Sequence, residues 1–307
     1  MGAGRVASRV SAPGAPVSAA VRRYGCAVHA TSDVGLARRL MVHEADVQRT
    51  AGRELRDLGD GWLLHDPGDA EPFWNRIVAP AWPEGVAAFE RRLDEIVTLF
   101  ATLDRVPHIR PMPLGNQPPD LVGRLLSNGF ERVGEDHRMV LRDPEPCRTI
   151  VARYEAPPVG RIRVARYPGD APGPPRLWAS DASLVLAQAF DVDPYRRAAL
   201  EGDLLACAVR PECSILLVYD GEEPVATARR TTTAEGTYLS SIGTRPGWRG
   251  RGHGSFATAI VVADALAASE STFVHLAVDV RNHVARRLYE RLGFEIVGEG
   301  VPDLLWR

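Results

Sequence analysis

The most informative stretch of this chain is Arg249-Gly250-Arg251-Gly252-His253-Gly254, a turn rich in glycine. Its glycines let the backbone approach a ligand closely and aim several N–H groups at one point. An apolar run, Ser255 to Ala268, follows at once and has the length and composition of a helix. The start of a helix offers unpaired N–H groups and a partial positive charge. The stretch therefore predicts a strand–turn–helix unit that holds an anion such as a phosphate.

Several nucleotide ligands bind at glycine-rich turns, so the flanking residues must distinguish between them. A P-loop ends in Gly-Lys-Ser/Thr, and this chain has no lysine, which excludes that site. A dinucleotide fingerprint starting at Gly250 meets Ser255 where glycine or alanine belongs. It stays open as an alternative, because Asp279 follows an apolar run and fits the position of a ribose-binding acid. A turn that merely connects strand to helix is the third alternative.

A second strand–turn–helix pattern follows downstream. Phe273 to Val280 is an apolar run with β-branched residues, which is typical of a buried strand. Asn282 is a favourable N-cap, and His283 to Arg291 is expected to form a short helix. Gly293 is expected to end that helix in the left-handed conformation.

Three residues of this second pattern share one helix face, because they stand three, four and seven positions apart. They are Asn282, Ala285 and Tyr289. A small alanine leaves room for a flexible chain, and a tyrosine hydroxyl one turn further on can reach the end of that chain. In the alternative interpretation Asn282 only caps the helix and Tyr289 only fills the core.

Together the two patterns resemble motifs of the GNAT (GCN5-related) N-acetyltransferase family. Arg249-x-x-Gly252-x-Gly254 is similar to the acyl-CoA motif R/Q-x-x-G-x-G/A of that family. The run Asn282-x-x-Ala285-x-x-Leu288-Tyr289-x-x-x-Gly293-Phe294 is similar to the family's later helix and strand. Both occur in the family's order and spacing, and the resemblance covers residues 160–307.

The resemblance implies an α/β (α+β) fold, with a mixed, mostly antiparallel central sheet flanked by helices. It also implies acetyl-CoA as cosubstrate, bound without a metal, with strand Tyr238 to Thr244 splayed away from its neighbour to admit the pantetheine. A backbone N–H near Ile242 would then stabilise the carbonyl oxygen, and Tyr289 would be the catalytic acid. The expected acetyl-CoA-binding residues are Ile242, Thr244, Arg249, Gly250, Arg251, Gly252, His253, Gly254, Ser255, Asn282, Ala285 and Tyr289.

The general base and the acceptor are less well specified by the sequence. Family members often carry a glutamate on the strand before the glycine turn, and Leu239-Ser240-Ser241-Ile242 contains none. Glu235, His275 and Asp279 are candidates, as is a base that acts through water. Asp191, Asp193 and Tyr195 lie where the acceptor loop is expected, although Asp193 also fits a cap before Pro194.

An internal echo predicts two such domains in tandem. Gly129-Phe130-Glu131-Arg132-Val133-Gly134-Glu135 parallels Gly293-Phe294-Glu295-Ile296-Val297-Gly298-Glu299. In the first copy Trp82-Pro83-Glu84-Gly85-Val86-Ala87 replaces the glycine turn, and Leu125 replaces Tyr289. We therefore expect a degenerate first copy. The predicted organisation is a disordered tail at 1–30, a degenerate GNAT-like domain at 31–142, a linker at 143–160 and a catalytic domain at 161–307.

Composition restricts the partners. A formal net charge of −2 gives no global attraction to nucleic acid or to an anionic membrane, and no apolar stretch is long enough to span a bilayer. All 37 basic residues are arginine, which excludes Schiff-base chemistry on lysine. Cys26, Cys147, Cys207 and Cys213 show neither metal-ligand nor disulfide spacing, so we expect a cytoplasmic protein. A monomer or a homodimer is expected.

The leading hypothesis is an enzyme that transfers an acetyl group directly from acetyl-CoA to the primary amine of a small molecule. A catalytically silent acyl-CoA sensor or partner protein is the alternative, because no base is evident and the first copy is degenerate. A nucleotide-binding oxidoreductase is a third possibility, which the open dinucleotide fingerprint leaves in place.

Overall fold

The computed structural model describes residues 33–49, 52–155, 162–167, 169, 175–268 and 272–307. The predicted tail at 1–30 lies outside them. The helices are α1 (Asp33–Gln48), α2 (Val86–Thr102), α3 (Leu121–Ser127), α4 (Glu145–Glu155), α5 (Pro175–Phe190), α6 (Arg197–Ala208), α7 (His253–Ala268) and α8 (His283–Arg291). The strands are β1 (Glu54–Asp57), β2 (Trp62–His65), β3 (Arg76–Val78), β4 (His108–Arg110), β5 (Phe130–Leu141), β6 (Ile162–Tyr167), β7 (Cys213–Asp220), β8 (Glu223–Thr232), β9 (Thr237–Thr244), β10 (Val274–Asp279), β11 (Phe294–Ile296) and β12 (Val301–Trp306).

All of these strands belong to one sheet, in the order β1-β2-β3-β4-β12-β5-β10-β9-β8-β7-β6, with β11 paired to β5. The pairs β3–β4 and β9–β10 are parallel, and the other strand pairs are antiparallel. The predicted mixed, mostly antiparallel sheet flanked by helices is confirmed.

Helices cover both faces of the sheet, because successive strand residues point to opposite sides. On one face, α5 and α6 pack on Ile215 and Leu217 of β7, and α1 packs on Val140 of β5. On the other face, α4, α7 and α8 pack on Leu216 and on the neighbouring strands, while α2 and α3 pack on Ile77 of β3. We call these the α1/α5/α6 face and the α7/α8 face.

The two halves of the chain run through the same sequence of elements. In the first half β3, α2, β4, α3 and β5 follow one another, and in the second half β9, α7, β10, α8 and β11 do so. Gly129 and Gly293 stand at the end of the corresponding short helices, each with a φ of 90°. The echo in the sequence therefore marks a repeated structural unit, as expected of tandem domains.

The halves exchange strands at the centre of the sheet. β5 follows α3 of the first half but pairs with β10 of the second, and β12 of the second half pairs with β4 of the first. β5 and β12 also pair with each other, which joins the two exchanged strands. Each half thus completes the hydrogen bonding of the other.

The predicted linker at 143–160 contains helix α4, so its described part is not a structureless connection. Cys147 of α4 is fully buried and donates its thiol hydrogen to the Leu292 carbonyl at 3.4 Å. Pro144 and Pro146 lie at the beginning of this helix, where proline is tolerated. The predicted boundaries of the tandem domains stay a prediction.

Helix α1 is fixed to the sheet by a buried charge cluster. Glu44 of α1 is 2% exposed and lies 3.3 Å from Arg76, 3.5 Å from Arg110 and 2.7 Å from Arg138, all three fully buried. Burial alone would raise the pKa of Glu44, but Arg138, Arg76 and Arg110 lower it to about 2. The carboxylate is therefore ionised at neutral pH.

Two further carboxylates complete this cluster. Asp136 pairs with Arg110 and Arg138, and Asp303 lies 2.8 Å from Arg110. Asp303 belongs to the exchanged strand β12, so the cluster also joins the two halves.

Among the described residues, no helix combines the length and the apolar character needed to cross a membrane.

Candidate active site

The glycine turn connects β9 to α7 as predicted. Gly250 and Gly252 have φ angles of 78° and 85°, which a residue with a side chain rarely adopts. The first hydrogen bond of α7 runs from the Phe256 N–H to the Gly252 carbonyl, at 2.9 Å. The N–H groups of His253 to Ser255 precede it and have no acceptor within the helix. Unpaired donors therefore collect at this helix end.

The two arginines of the turn take different positions. Arg249 donates to the Thr244 carbonyl at 3.2 Å and to the Ala189 carbonyl of α5 at 2.9 Å. Its guanidinium therefore braces the turn against the strand and the helix before it. Arg251 is exposed, and its guanidinium stands 4.7 Å from the ring centre of Trp248. Arg251 also donates to the Gly247 carbonyl at 3.3 Å, and both arginines are exposed, so both add positive charge at the turn.

Two other predicted residues lie beneath the turn. His253 is 5% exposed, and neither of its ring nitrogens has a hydrogen-bond partner within the described chain. Burial lowers its pKa, so the ring is neutral at pH 7. A Cβ atom on Gly254 would approach Thr244 Oγ1 to 3.0 Å. The first turn of α7 therefore packs tightly on the end of β9 at Gly254.

Strands β9 and β10 separate as the resemblance implies. Their parallel pairing covers Thr237 to Leu239 and Val274 to Leu276 and then stops, although both strands continue. A bulge lies directly beyond this point on the other edge of β9, where Thr227 pairs with Gly243 and Arg229 with Ser240. Ser241 has a φ of 51°, which accompanies the bulge. The bulge leads β9 away from β10 and opens a gap through the sheet.

A cavity of about 590 Å³ occupies this gap. Its lining residues are Phe190, Tyr238, Leu239, Ser240, Ser241, Ile242, Ala277, Val278, Asp279, Arg281, Asn282, Ala285 and Tyr289. Four predicted binding residues are thereby brought together: Ile242, Asn282, Ala285 and Tyr289. The other predicted residues form the adjacent glycine turn and the end of β9.

Helix α8 supplies one wall of the cavity. The Asn282 side chain accepts a hydrogen bond from the Ala285 N–H at 3.0 Å, so Asn282 does cap the helix. Tyr289 is 7% exposed, and its ring packs edge-on against Phe294 at 6.1 Å. Burial raises the pKa of Tyr289 well above its usual value, which keeps the hydroxyl protonated at neutral pH. A protonated hydroxyl in a cavity wall can donate a proton.

The three base candidates have unsuitable surroundings. Arg281 donates hydrogen bonds to Asp279 and lowers its pKa, which weakens it as a base. His275 is fully buried, 2.8 Å from a ring nitrogen of His43, and burial lowers its pKa well below the usual value. Glu235 pairs with Arg39 at 2.9 Å and is not among the lining residues. Of the three, Asp279 is the one that lines the cavity, and its pairing with Arg281 weakens it as a base.

The acceptor-loop candidates give a mixed result. Asp193 accepts a hydrogen bond from the Tyr195 N–H at 3.3 Å, so it caps the short turn that follows. Tyr195 is 76% exposed. Phe190, at the end of α5, lines the cavity although the sequence did not single it out.

Within the described parts of the chain, no group of three or more potential metal ligands occurs.

The corresponding position in the first half is closed. There β3 and β4 stay joined beyond their last pair, since the Ala79 N–H bonds to the Arg110 carbonyl at 3.1 Å. The Trp82 N–H continues the connection to the Gln117 carbonyl at 2.9 Å. The Trp82 side chain is 3% exposed and packs on Phe89. A strand gap like that between β9 and β10 is therefore absent from this described region.

Comparison with known proteins agrees with this geometry. Residues 182–294 match the acetyltransferase (GNAT) family. A GCN5-related N-acetyltransferase from Kribbella flavida has a TM-score of 0.63 at 22% identity, with 87% of this chain and 95% of that one covered. A tandem GNAT protein from the clavulanic acid biosynthesis pathway has a TM-score of 0.57 at 15% identity, covering 89% and 94%. A GCN5-related N-acetyltransferase from Sphaerobacter thermophilus gives 0.53 at 17%, covering 88% and 92%. No curated protein sequence matches.

The fold is therefore that of GNAT proteins, and the tandem GNAT neighbour covers most of the chain. Residues 182–294 match the acetyltransferase (GNAT) family, and this match supports acyl transfer as the activity of that part of the chain. The sheet has only two parallel strand pairs within the described residues, which does not fit the doubly wound sheet of a dinucleotide-binding oxidoreductase.

The glycine turn offers a matched pair of substitutions. Gly250→Ala would strain a residue at φ 78° and place a methyl group in open space on the turn. The strain is about 1–2 kcal/mol, so we expect CoA affinity to fall roughly tenfold or more in a calorimetric titration. Gly247→Ala lies in the same loop, without positive φ and without a neighbour within 4 Å, and should bind CoA normally. Equal affinities of the two variants would contradict this role of Gly250.

Proposed function

We propose that this protein is an acetyl-CoA-dependent N-acetyltransferase that moves an acetyl group directly to a primary amine of a small molecule. The separation of β9 from β10 beyond Leu239 and Leu276 carries the proposal, because it opens a cavity between the glycine turn and the hydroxyl of Tyr289. An open strand pair would otherwise leave backbone groups unpaired inside the sheet. A ligand that pairs with them accounts for the arrangement.

The residues present fit acetyl-CoA. Gly250 and Gly252 have open space where a Cβ atom would stand, so a diphosphate can approach the backbone there. The N–H groups from Arg251 to Ser255 would bind that diphosphate, and Arg251 would add charge at the rim. When bound, acetyl-CoA supplies the thioester from which the acetyl group is transferred.

Three groups of the chain would assist the transfer. The Ile242 N–H, at the bulge of β9, would stabilise the carbonyl oxygen; losing one such donor costs about 10²–10³-fold in rate. Tyr289 would donate its proton to the departing thiolate. Ala285 leaves space for the pantetheine chain along α8. The amine would lose its proton to water, because Arg281 pairs with Asp279, the base candidate in the cavity wall.

Binding of CoA is the first test. A ligand that binds only the folded protein raises its melting temperature, by an amount equivalent to about 2.7 kcal/mol at a hundredfold excess over Kd. We expect CoA to raise the melting temperature and NAD to leave it unchanged. A rise with NAD but not with CoA would overturn the proposal.

Turnover separates the transferase from its alternative, a silent acyl-CoA sensor. Consumption of acetyl-CoA in the presence of a panel of primary amines supports the enzyme. Tight binding of CoA without turnover on any amine would favour the sensor, for which the degenerate first half is an argument. We propose a cytoplasmic location and no nucleic-acid or membrane partner on the basis of composition alone.

A further inference from the structure

Arg229 of β8 carries a charge that its protein partners do not compensate. Its Nε donates to Ser240 Oγ at 2.8 Å, and one terminal nitrogen donates to Cys207 Sγ at 3.3 Å. Neither partner is a carboxylate. The side chain is half-buried, so water screens this charge only in part. A half-buried guanidinium in this condition favours an anionic ligand.

The position of Arg229 directs this charge to the cavity. Arg229 and Ser240 are cross-strand partners, so both lie on the α1/α5/α6 face. Ser240 lines the cavity and is the first residue of β9 after the pairing with β10 stops. The glycine turn and α8 lie on the α7/α8 face, where acetyl-CoA is proposed to bind. Arg229 therefore stands on the side from which an acceptor would enter.

The other charges of the cavity wall cancel. Arg281 lies 2.8 Å from Asp279, and this exposed pair adds no net charge. Half-buried Arg92, by contrast, pairs with Asp60 at 2.6 Å. The positive charge of Arg229 thus remains as the net charge beside the cavity, and an anion held there would gain charge-assisted hydrogen bonds.

We propose that Arg229 and Ser240 form a carboxylate-binding subsite, so that the acceptor is a primary amine that also carries a carboxylate. This rests on the proposed function in placing an amine acceptor in the cavity. A thiol is a weak hydrogen-bond acceptor, so the contact with Cys207 is readily given up for a carboxylate. Ser240 offers its hydroxyl hydrogen to the same group. Because Ser240 borders the strand gap, the carboxylate and the reacting amine are separated by a short chain, as in amino acids.

Paired acceptors test the subsite. The release of free CoA thiol from acetyl-CoA is measured with glycine, β-alanine and leucine as acceptors. The amide of each is measured too, because it keeps the amine and removes the carboxylate charge. We expect higher kcat/KM for the acids. Arg229→Gln should raise KM for an accepted acid about 10–100-fold, the loss typical of a charge-assisted hydrogen bond, with little change for its amide.

Two further variants keep the test specific. Arg230→Gln removes the neighbouring charge from the same strand, on the opposite face, and should leave the preference for acids intact. Ser240→Ala removes the hydroxyl and leaves Arg229 in place, so it should reduce the preference for acids over amides. This variant tests the subsite if Arg229→Gln fails to fold. Amides transferred as well as acids, with no effect of either substitution in folded protein, would overturn the subsite while the transferase stands.

A binding measurement separates the subsite from the reaction. N-acetylglycine, N-acetyl-β-alanine and N-acetylleucine are titrated into the protein in the presence of CoA, by calorimetry. Binding that Arg229→Gln abolishes, without acetylation of any amine, would support the subsite and overturn the proposed transferase. Failure of every carboxylate compound both to bind and to react would overturn the subsite.

Discussion

Tyr289→Phe is expected to lower kcat for acetyl transfer by about 10²–10⁴-fold, the usual effect of losing a positioned acid, while CoA affinity stays nearly unchanged. The hydroxyl is the only group removed. The ring keeps its edge-on contact with Phe294 and its place in the core, so the fold should be preserved. Because burial raises the pKa of Tyr289, the hydroxyl is protonated and able to donate throughout the neutral pH range.

Tyr167→Phe is a matched control for this prediction. Tyr167 is half-buried on β6, stacks on Trp178 at 4.2 Å and is not among the residues that line the cavity. Steady-state kinetics and a CoA titration of both purified variants give the comparison. An unaltered kcat in folded Tyr289→Phe would remove Tyr289 from the mechanism.

Glu44→Gln is expected to reduce the free energy of unfolding by about 3–5 kcal/mol, the typical cost of breaking a buried ion pair. The amide has the size of the carboxylate but no charge. Arg76 and Arg138, both fully buried, would lose their main counterion, and Arg110 would keep Asp136 and Asp303. Urea unfolding curves measure the difference. Glu54→Gln removes an exposed acid that pairs with Arg56 at the surface, and it should leave the curve unchanged.

The same carboxylate makes stability depend on pH. The folded protein holds the pKa of Glu44 at about 2, below its unfolded value of 4.5, so the native state favours the ionised form. This contribution is fully present above pH 4.5 and is lost as the pH falls through 2. Asp303 acts in the same direction, because His108 and Arg110 lower its pKa despite burial. Equal acid sensitivity of the wild type and of Glu44→Gln would contradict a stabilising charge at this position.

Local signals made the second half predictable. The predicted helix His283 to Arg291 has the bounds of α8, because the Asn282 cap and the turn at Gly293 act within a few residues of it. The helix predicted at Ser255 to Ala268 begins two residues earlier, at His253, since Gly254 continues the helix. In such segments short-range preferences and burial point to the same structure.

The joining of the halves was not predictable from these signals. β5 reads as one long strand, but nothing in its residues indicates that β10 and β12 are its neighbours. Strand partners far apart in the chain are selected by the assembled core and by register. Helix α1 and its Glu44 were missed for a related reason, because a buried acid is stable only beside arginines that come from three distant strands.

The candidate site divides in the same way. The sequence patterns led to the glycine turn and to Asn282, Ala285 and Tyr289, which are spaced along one helix. Tyr238, Ser240 and Phe190 were not singled out as site residues, because the cavity depends on the bulge at Ser241. Serine does not favour a positive φ, so the sequence held no local sign of that bulge.

The crossed arrangement of β5 and β12 has a practical consequence for anyone who wishes to dissect this protein. A chain shortened to residues 162–307 would keep the glycine turn and Tyr289 but would lose β5, so one edge of strand β10 would be unpaired. Such an edge invites association with other chains. The first half has no strand gap of its own, but its strand β5 is an indispensable part of the second half, which has one. Selection for activity would therefore preserve both halves together.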